Sequence, residues 1–149
     1  MNSSANEPPK DLIGFLDFYL VKKAPFQIPA NGREMIVKFG PWIAVVLLVL
    51  TLPLLLFALG VGTVLMPFGG PRYAAGFGFL TLFVIAQIGL LIAALPGLFA
   101  RKMAGWQLLF YSQLVSIVYS LLSGSIVGGL LGGLISLYIL FQVRTLYRE

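Results

Sequence analysis

Glu7, Asp11, Asp17, Glu34 and Glu149 are the only carboxylates in the chain, and neither His nor Cys accompanies them. Without an imidazole, the usual proton acceptor of near-neutral catalysis is missing, and without a thiol there is no disulfide, thiolate nucleophile or cysteine metal ligand. Haem on a His or Cys ligand and iron–sulfur clusters are disfavoured for the same reason. Serines are frequent, but a hydroxyl with no base to take its proton is a poor nucleophile. Asp17 and Glu34 are the two acids able to approach one another at a membrane surface as a metal-binding or acid/base pair. Both sit among lysines, where exposed ion pairing is the ordinary role of a carboxylate. Four glycines in six positions, Gly128-Gly129 and Gly132-Gly133, resemble a phosphate-binding loop in composition only, since no Lys follows them and no strand pattern precedes them. The expectation is of no catalytic residue, no cofactor and no metal.

The distribution of charge explains what the remaining residues are for. The chain is 59% hydrophobic and 10% charged, with a mean hydropathy of +0.98. Between Phe39 and Val143 only Arg72, Arg101 and Lys102 are charged, which leaves uncharged runs longer than the roughly 20 residues needed to cross a bilayer. The first run, Phe39 to Pro71, opens at Gly40-Pro41, with Pro53 expected to bend it; the second, Tyr73 to Ala100, closes at Pro96-Gly97. The third, Met103 to Val143, spans about 60 Å as a helix, two bilayer thicknesses, and must reverse once. Ser123-Gly124-Ser125 supplies the small residues for that turn. The predicted fold is an all-α integral membrane protein, an antiparallel bundle of four transmembrane helices near 42–66, 74–99, 105–123 and 125–143.

Four crossings put Lys10, Lys22, Lys23, Arg33, Lys38, Arg101, Lys102, Arg144 and Arg148 on one side and Arg72 alone on the other, so both termini are expected in the cytoplasm and the protein in the inner membrane. Lys22, Lys23, Arg101, Lys102, Arg144 and Arg148 are the expected contacts to anionic lipid headgroups. Basic residues flanking spans are the ordinary topology signal, and no nucleic-acid partner is expected. Trp42, Trp106 and Tyr147 fall at the inner interface by this count, Tyr73 and Tyr119 at the outer one.

Residues 1–40 form a cytoplasmic and interfacial segment. Met1 to Glu7 reads as a mobile polar tail, and Pro8-Pro9 as a helix start. Over 11–23 a helical wheel gathers Leu12, Phe15, Leu16, Tyr19 and Leu20 opposite Lys10, Gly14 and Asp17, although Phe18 and Val21 fall toward the polar side. That pattern fits an amphipathic helix in the headgroup plane, or one docked on a partner or on the bundle itself. With Asp17 in its middle it is no cleavable leader, and the N-terminus is expected to be retained. Ala24 to Arg33, with Pro25, Pro29 and Asn31-Gly32, reads as a connector ending in a turn, Glu34 to Phe39 as a lead-in, 41–143 as the transmembrane domain and 144–149 as a cytoplasmic tail.

Within the membrane, Gly124, Gly128, Gly132 and Ser136 recur every four residues, beside a matching stripe of Ser112, Ser116 and Ser120 on the preceding helix. Ser125, Gly129 and Gly133 form a neighbouring row; small residues at that spacing let helices approach closely, and the expectation is a seam between the third and fourth helices, the alternative being a subunit interface. Thr51, Gln87 and Gln113, with Ser136, fall within one or two turns of the midplane and are expected to form an inward-facing polar layer. No acid or base lies in the spans, which argues against proton- or sodium-coupled transport. The expected function is that of a non-catalytic accessory, scaffold or assembly subunit, in a homo-oligomer or a larger membrane complex. The alternative is an oligomeric transporter or channel for an uncharged or lipophilic solute.

Overall fold

The computed structural model describes residues 10–148, and within them the chain is helical throughout, with no strand. The readings of Met1–Glu7 and of Pro8-Pro9 lie outside these residues, as does Glu149.

Helix α1, Leu12–Asp17, starts where the Asp11 carboxylate accepts the Gly14 amide at 3.3 Å, satisfying one of the unpaired donors of a helix start. It widens into a π turn, Phe18–Lys22, closed by the Lys23 amide on the Phe18 carbonyl at 3.0 Å. An i→i+5 turn shifts the phase of the side chains behind it. Consequently Ile13, Leu16, Leu20 and Val21 all pack on the core, whereas Leu12, Phe15 and Tyr19 stay exposed. The uniform wheel drawn from the sequence is thus split between two surfaces.

Helix α2 is assigned as Ala30–Phe99 and is broken once, at Gly70, whose φ of 70° and ψ of 179° lie outside helical space. At 1.5 Å per residue its arms, 30–69 and 71–99, are about 60 Å and about 43 Å long. Pro29 caps the first arm, and the Arg33 amide donates to its carbonyl at 3.0 Å. Asn31-Gly32 therefore belongs to the first helical turn and is not a loop, and Gly40-Pro41 lies inside a helix already under way, with Pro41 buried. Proline at position 29 has already supplied the start signal, with a fixed φ and no donor to leave unpaired. Nor does Pro53 interrupt the arm, since Gly70 is the sole non-helical position. The arms run antiparallel: Trp42 meets Phe99 edge to face at 5.3 Å near one end, and the Phe77 ring covers Gly62 near the other.

Helices α3, Met103–Leu122, and α4, Ile126–Gln142, complete the fold, and a single 3-10 turn, Arg144–Leu146, follows. Both reversals have the same bond pattern. After α3 the Ser125 amide returns to the Ser120 carbonyl at 2.9 Å and Gly124 to Leu121 at 3.3 Å, with Gly124 at φ 82°. After α2 the Lys102 amide returns to Gly97 at 2.7 Å and Arg101 to Leu98 at 3.1 Å, with Arg101 at φ 53°. Each is a six-to-one and five-to-two closure around a left-handed residue, which glycine adopts freely and arginine adopts at some expense.

The core gathers at the end of the molecule that holds the second closure, and comprises Val37, Ala94, Leu98, Trp106, Phe110, Leu137, Phe141, Val143 and Tyr147. Trp106, at 1% exposure, is a core residue and not an interfacial anchor. It stacks on Phe110, meets Phe141 edge-on, and donates its indole N–H at 2.8 Å to the Leu140 carbonyl in the last turn of α4, where carbonyls lack helical partners. Two helical segments, Ala30–Phe99 and Ile126–Leu146, are long and apolar enough to cross a membrane.

Candidate interaction surfaces and clefts

The first surface is the basic end. The turn 101–103 is tied to the C-terminal segment by the Arg148 amide on the Arg101 carbonyl at 2.8 Å and the Met103 amide on the Arg148 carbonyl at 2.7 Å. These bonds bring Arg101, Lys102 and Arg148 together. Arg101 pairs with Glu34 at 2.6 Å, and Arg144 pairs with Asp17 at 3.4 Å while lying 5.2 Å from the centroid of the Trp106 ring. The two acids best placed for chemistry are therefore each held by a separate arginine, not by lysines and not by one another. Among the described residues no group of three His, Cys, Asp or Glu side chains could hold a metal. Lys22, Lys23 and Lys102 are exposed, with the Lys23 ammonium 5.5 Å from the Tyr19 ring centroid.

The α3–α4 seam is the second surface, and it selects a different row of glycines from the one the spacing favoured. A Cβ on Gly133 would lie 2.6 Å from Ile117 Cγ1, and one on Gly129 would collide with Ser120. These two residues make the intramolecular contact. At Gly124, Gly128 and Gly132 the same construction meets nothing within 4 Å, so this row looks outward from the pair. Successive residues on a helix are 100° apart, so adjacent rows of equally small residues face different directions, and the bulk of Ile117 decides which one α3 meets. Of the serine stripe, Ser112 is buried, while Ser116 and Ser120 line an open groove of about 420 Å³ with Gln113, Ser125, Ser136 and the glycines.

Two further clefts receive the remaining polar residues. Thr51 and Gln87 share a cleft of about 290 Å³ between the arms of α2, walled by leucines. Gln113 and Ser136 reach the deep end of another, of about 300 Å³, lined by all three long helices and Tyr147. The expected midplane layer thus divides into two pairs facing separate spaces. Near Gly70 an aromatic cleft of about 520 Å³ is lined by Tyr73, Phe77, Phe79 and Tyr119.

Several residues of these surfaces carry no signal in the sequence. Gly97 and Gly105 bring α2 and α3 into backbone contact, a Cβ on Gly105 falling 2.5 Å from the Gly97 carbonyl carbon; the small-xxx-small spacing does not mark them because they stand one on each helix. Gln142 is 1% exposed, with its amide donating to the Leu20 carbonyl at 3.2 Å, and so ties the π turn after α1 to α4. Tyr147, in the segment read as a solvated tail, is 7% exposed. Burial raises its phenol above the usual value of 10.0, opposed in part by the neighbouring Arg101 charge. Compared with protein-family models, curated proteins and solved structures, the chain matches none.

Proposed function

We propose that this chain is a small multi-pass membrane protein with no catalytic chemistry, whose task is to dock a helix of a second copy or of a larger membrane complex. The observation that carries this reading is the unfilled row Gly128, Gly132 and Ser136 on α4, continued by Gly124 in the turn before it. In lipid, helix association draws on van der Waals contact and interhelical hydrogen bonds, and a glycine row gives a partner's backbone close access. Gln113, Ser116, Ser120 and Ser125 add an amide and hydroxyls along the same groove. Such groups are poorly served by hydrocarbon and well served by another helix.

Membrane residence is supported by the apolar surface that the helices leave uncovered. Leu50, Leu54, Phe57, Val61, Val64 and Phe68 recur at helical spacing along the first arm and are all exposed, a contiguous apolar face of the kind that marks a membrane or protein contact. In this reading the two arms of α2, then α3 and α4, make four crossings near 42–66, 74–99, 105–123 and 125–143, with both termini cytoplasmic. The basic end then meets anionic headgroups. Arg101 and Arg144 already serve Glu34 and Asp17, so Lys22, Lys23, Lys102 and Arg148 carry most of that attraction. The exposed Leu12 and Phe15 of α1, with Tyr19 of the π turn, enter the headgroup layer while the other side of this segment stays on the core.

A second reading, an oligomeric path for an uncharged solute, is favoured by one observation. Gln113 and Ser136 line both the apolar cleft and the serine-lined groove, so the two spaces adjoin at mid-depth. Cysteine cross-linking tests the first reading, since the chain is naturally Cys-free. Single cysteines at Gly128 and Gly132 in native membranes should give cross-linked products of defined mass, and one at Leu82, on the lipid side of α2, should not. Equal or absent cross-linking at all three sites would refute the docking row.

A further inference from the structure

The apolar cleft shared by α2, α3 and α4 has an unusual end. Its walls are Ile36, Gly40, Pro41 and Ala44 of the first arm, Leu98 of the second, and residues of α3 and α4 from Gln113 and Ser136 down to Val143. From Ser136 to Val143 is about 10 Å of helix, so the space of about 300 Å³ is elongated along the helix axes. Tyr147 closes one end. Tyr147 is more than nine-tenths buried, and its hydroxyl makes no hydrogen bond to another described residue yet is not sealed off, since the one fully enclosed polar side-chain atom left without a partner among those residues is Gln142 Oε1. A phenol placed so at an apolar wall can donate to a polar group that enters the cleft.

The charge around that hydroxyl defines what would satisfy it. Arg101 stands close enough to Tyr147 to act on its ionisation, and the backbone bonds of the 101–103 turn hold Lys102 and Arg148 beside it. Against Arg101, Lys102 and Arg148 stands Glu34, which pairs with Arg101 at 2.6 Å and leaves the arginine side chain 41% exposed. A second copy would bring the same excess of positive charge and be repelled. An acceptor bearing negative charge, attached to a long apolar chain, fits both the hydroxyl and the walls.

We propose that this cleft holds one acyl chain of an anionic phospholipid from the cytoplasmic leaflet, with a phosphate oxygen accepting the Tyr147 hydroxyl beside Arg101. The proposal rests on the membrane reading above but not on the docking row. A phenol is protonated at neutral pH at its usual value of 10.0, and burial only pushes it further up, so Tyr147 is a donor there. Gly40 gives direct access to the question, because it lines the cleft and a Cβ added there meets nothing within 4 Å.

The test is native mass spectrometry of the full chain, released from mild detergent after incubation with equimolar phosphatidylglycerol and phosphatidylcholine of the same acyl chains. The expected result is one bound lipid per chain, with phosphatidylglycerol favoured by about fivefold or more. Tyr147→Phe and Arg101→Asn, the latter tolerant of the left-handed turn, should bring the ratio close to unity. Gly40→Leu should remove both lipids while thermal unfolding shows the chain still folded. Equal occupancy by the two lipids in the parent overturns the proposal. So does unchanged phosphatidylglycerol binding in folded Gly40→Leu, or a lipid-free dimer. Carbonate extraction of membranes, run in parallel, separates these results from failure of the membrane reading itself: a chain released by carbonate was never embedded.

Discussion

Replacing Gly105 by Ala and Gly40 by Ala makes the same chemical change twice, and the structure assigns the two opposite signs. Both glycines are helical, so each substitution gains up to about 1 kcal/mol of helix propensity. At Gly40 nothing opposes that gain, because the new methyl meets no atom within 4 Å. At Gly105 the methyl would lie 2.5 Å from both the Gly97 carbonyl carbon and the Leu98 nitrogen, and 2.8 Å from the Gly97 Cα. Carbon atoms rest about 3.5–4.0 Å apart, so the helices must separate by about 1 Å. All three atoms are backbone and cannot rotate away. The same separation stretches the 2.7 Å bond from the Lys102 amide to Gly97 that closes α2. Overpacking of this kind costs about 1–3 kcal/mol, and with both partners rigid the upper half of that range applies, leaving a net loss of about 1–2 kcal/mol after the propensity gain. Thermal unfolding in detergent, followed by circular dichroism, should move down for Gly105→Ala and up or not at all for Gly40→Ala. Equal stabilisation by both would refute the backbone contact between α2 and α3.

Three further outcomes follow from the same structure. Single cysteines at Ser3, Gly70 and Ser123 should react with an impermeant maleimide from outside at the last two only; external labelling at Ser3 would reverse the proposed orientation. Because Tyr147 has a raised pKa in the folded state, its contribution to stability is complete below pH 10.0 and declines as pH rises from there through the folded value; alkaline unfolding should therefore be less steep in Tyr147→Phe than in the parent, and identical profiles would count against burial of the phenol. Gln87→Leu and Gln113→Leu should leave liposome flux of small uncharged solutes at the parent's background level, whereas flux present in the parent and lost in Gln113→Leu at unchanged stability would promote the transporter reading.

The sequence contained the helices and concealed their rotation. The length of the uncharged run from Met103 requires a reversal, and Ser123-Gly124-Ser125 lies near its middle with a glycine at the left-handed position. The matching closure at Arg101 is invisible by residue type, because an arginine stands where glycine is the usual choice, held by the ion pair to Glu34 and the backbone bonds to Arg148. The helix start at Ala30 was obscured by Asn31-Gly32, a turn signal that loses to Pro29 once the following residues are packed. On α4 two glycine rows differ by one position, and composition cannot rank them; the side chain of Ile117 does. Tyr147 and Trp106 look like interfacial aromatics from their distance to the charged residues, but the folding back of the C-terminal segment onto the 101–103 turn buries Tyr147, and the Leu140 carbonyl gives Trp106 a partner inside. The basic end was legible throughout, since charge must leave the apolar runs wherever the helices point.

The central claim, that α4 keeps one small-residue row for α3 and offers the other to a partner, is tested most directly by Gly132→Ile beside Gly133→Ile. Measured by detergent-corrected mass and thermal unfolding on the same samples, Gly132→Ile should lose the associated partner or second copy with its unfolding midpoint unchanged. Gly133→Ile, whose added carbons meet Ile117, should lower the midpoint. Association that survives Gly132→Ile, or a midpoint that falls as far there as at Gly133, would contradict the account.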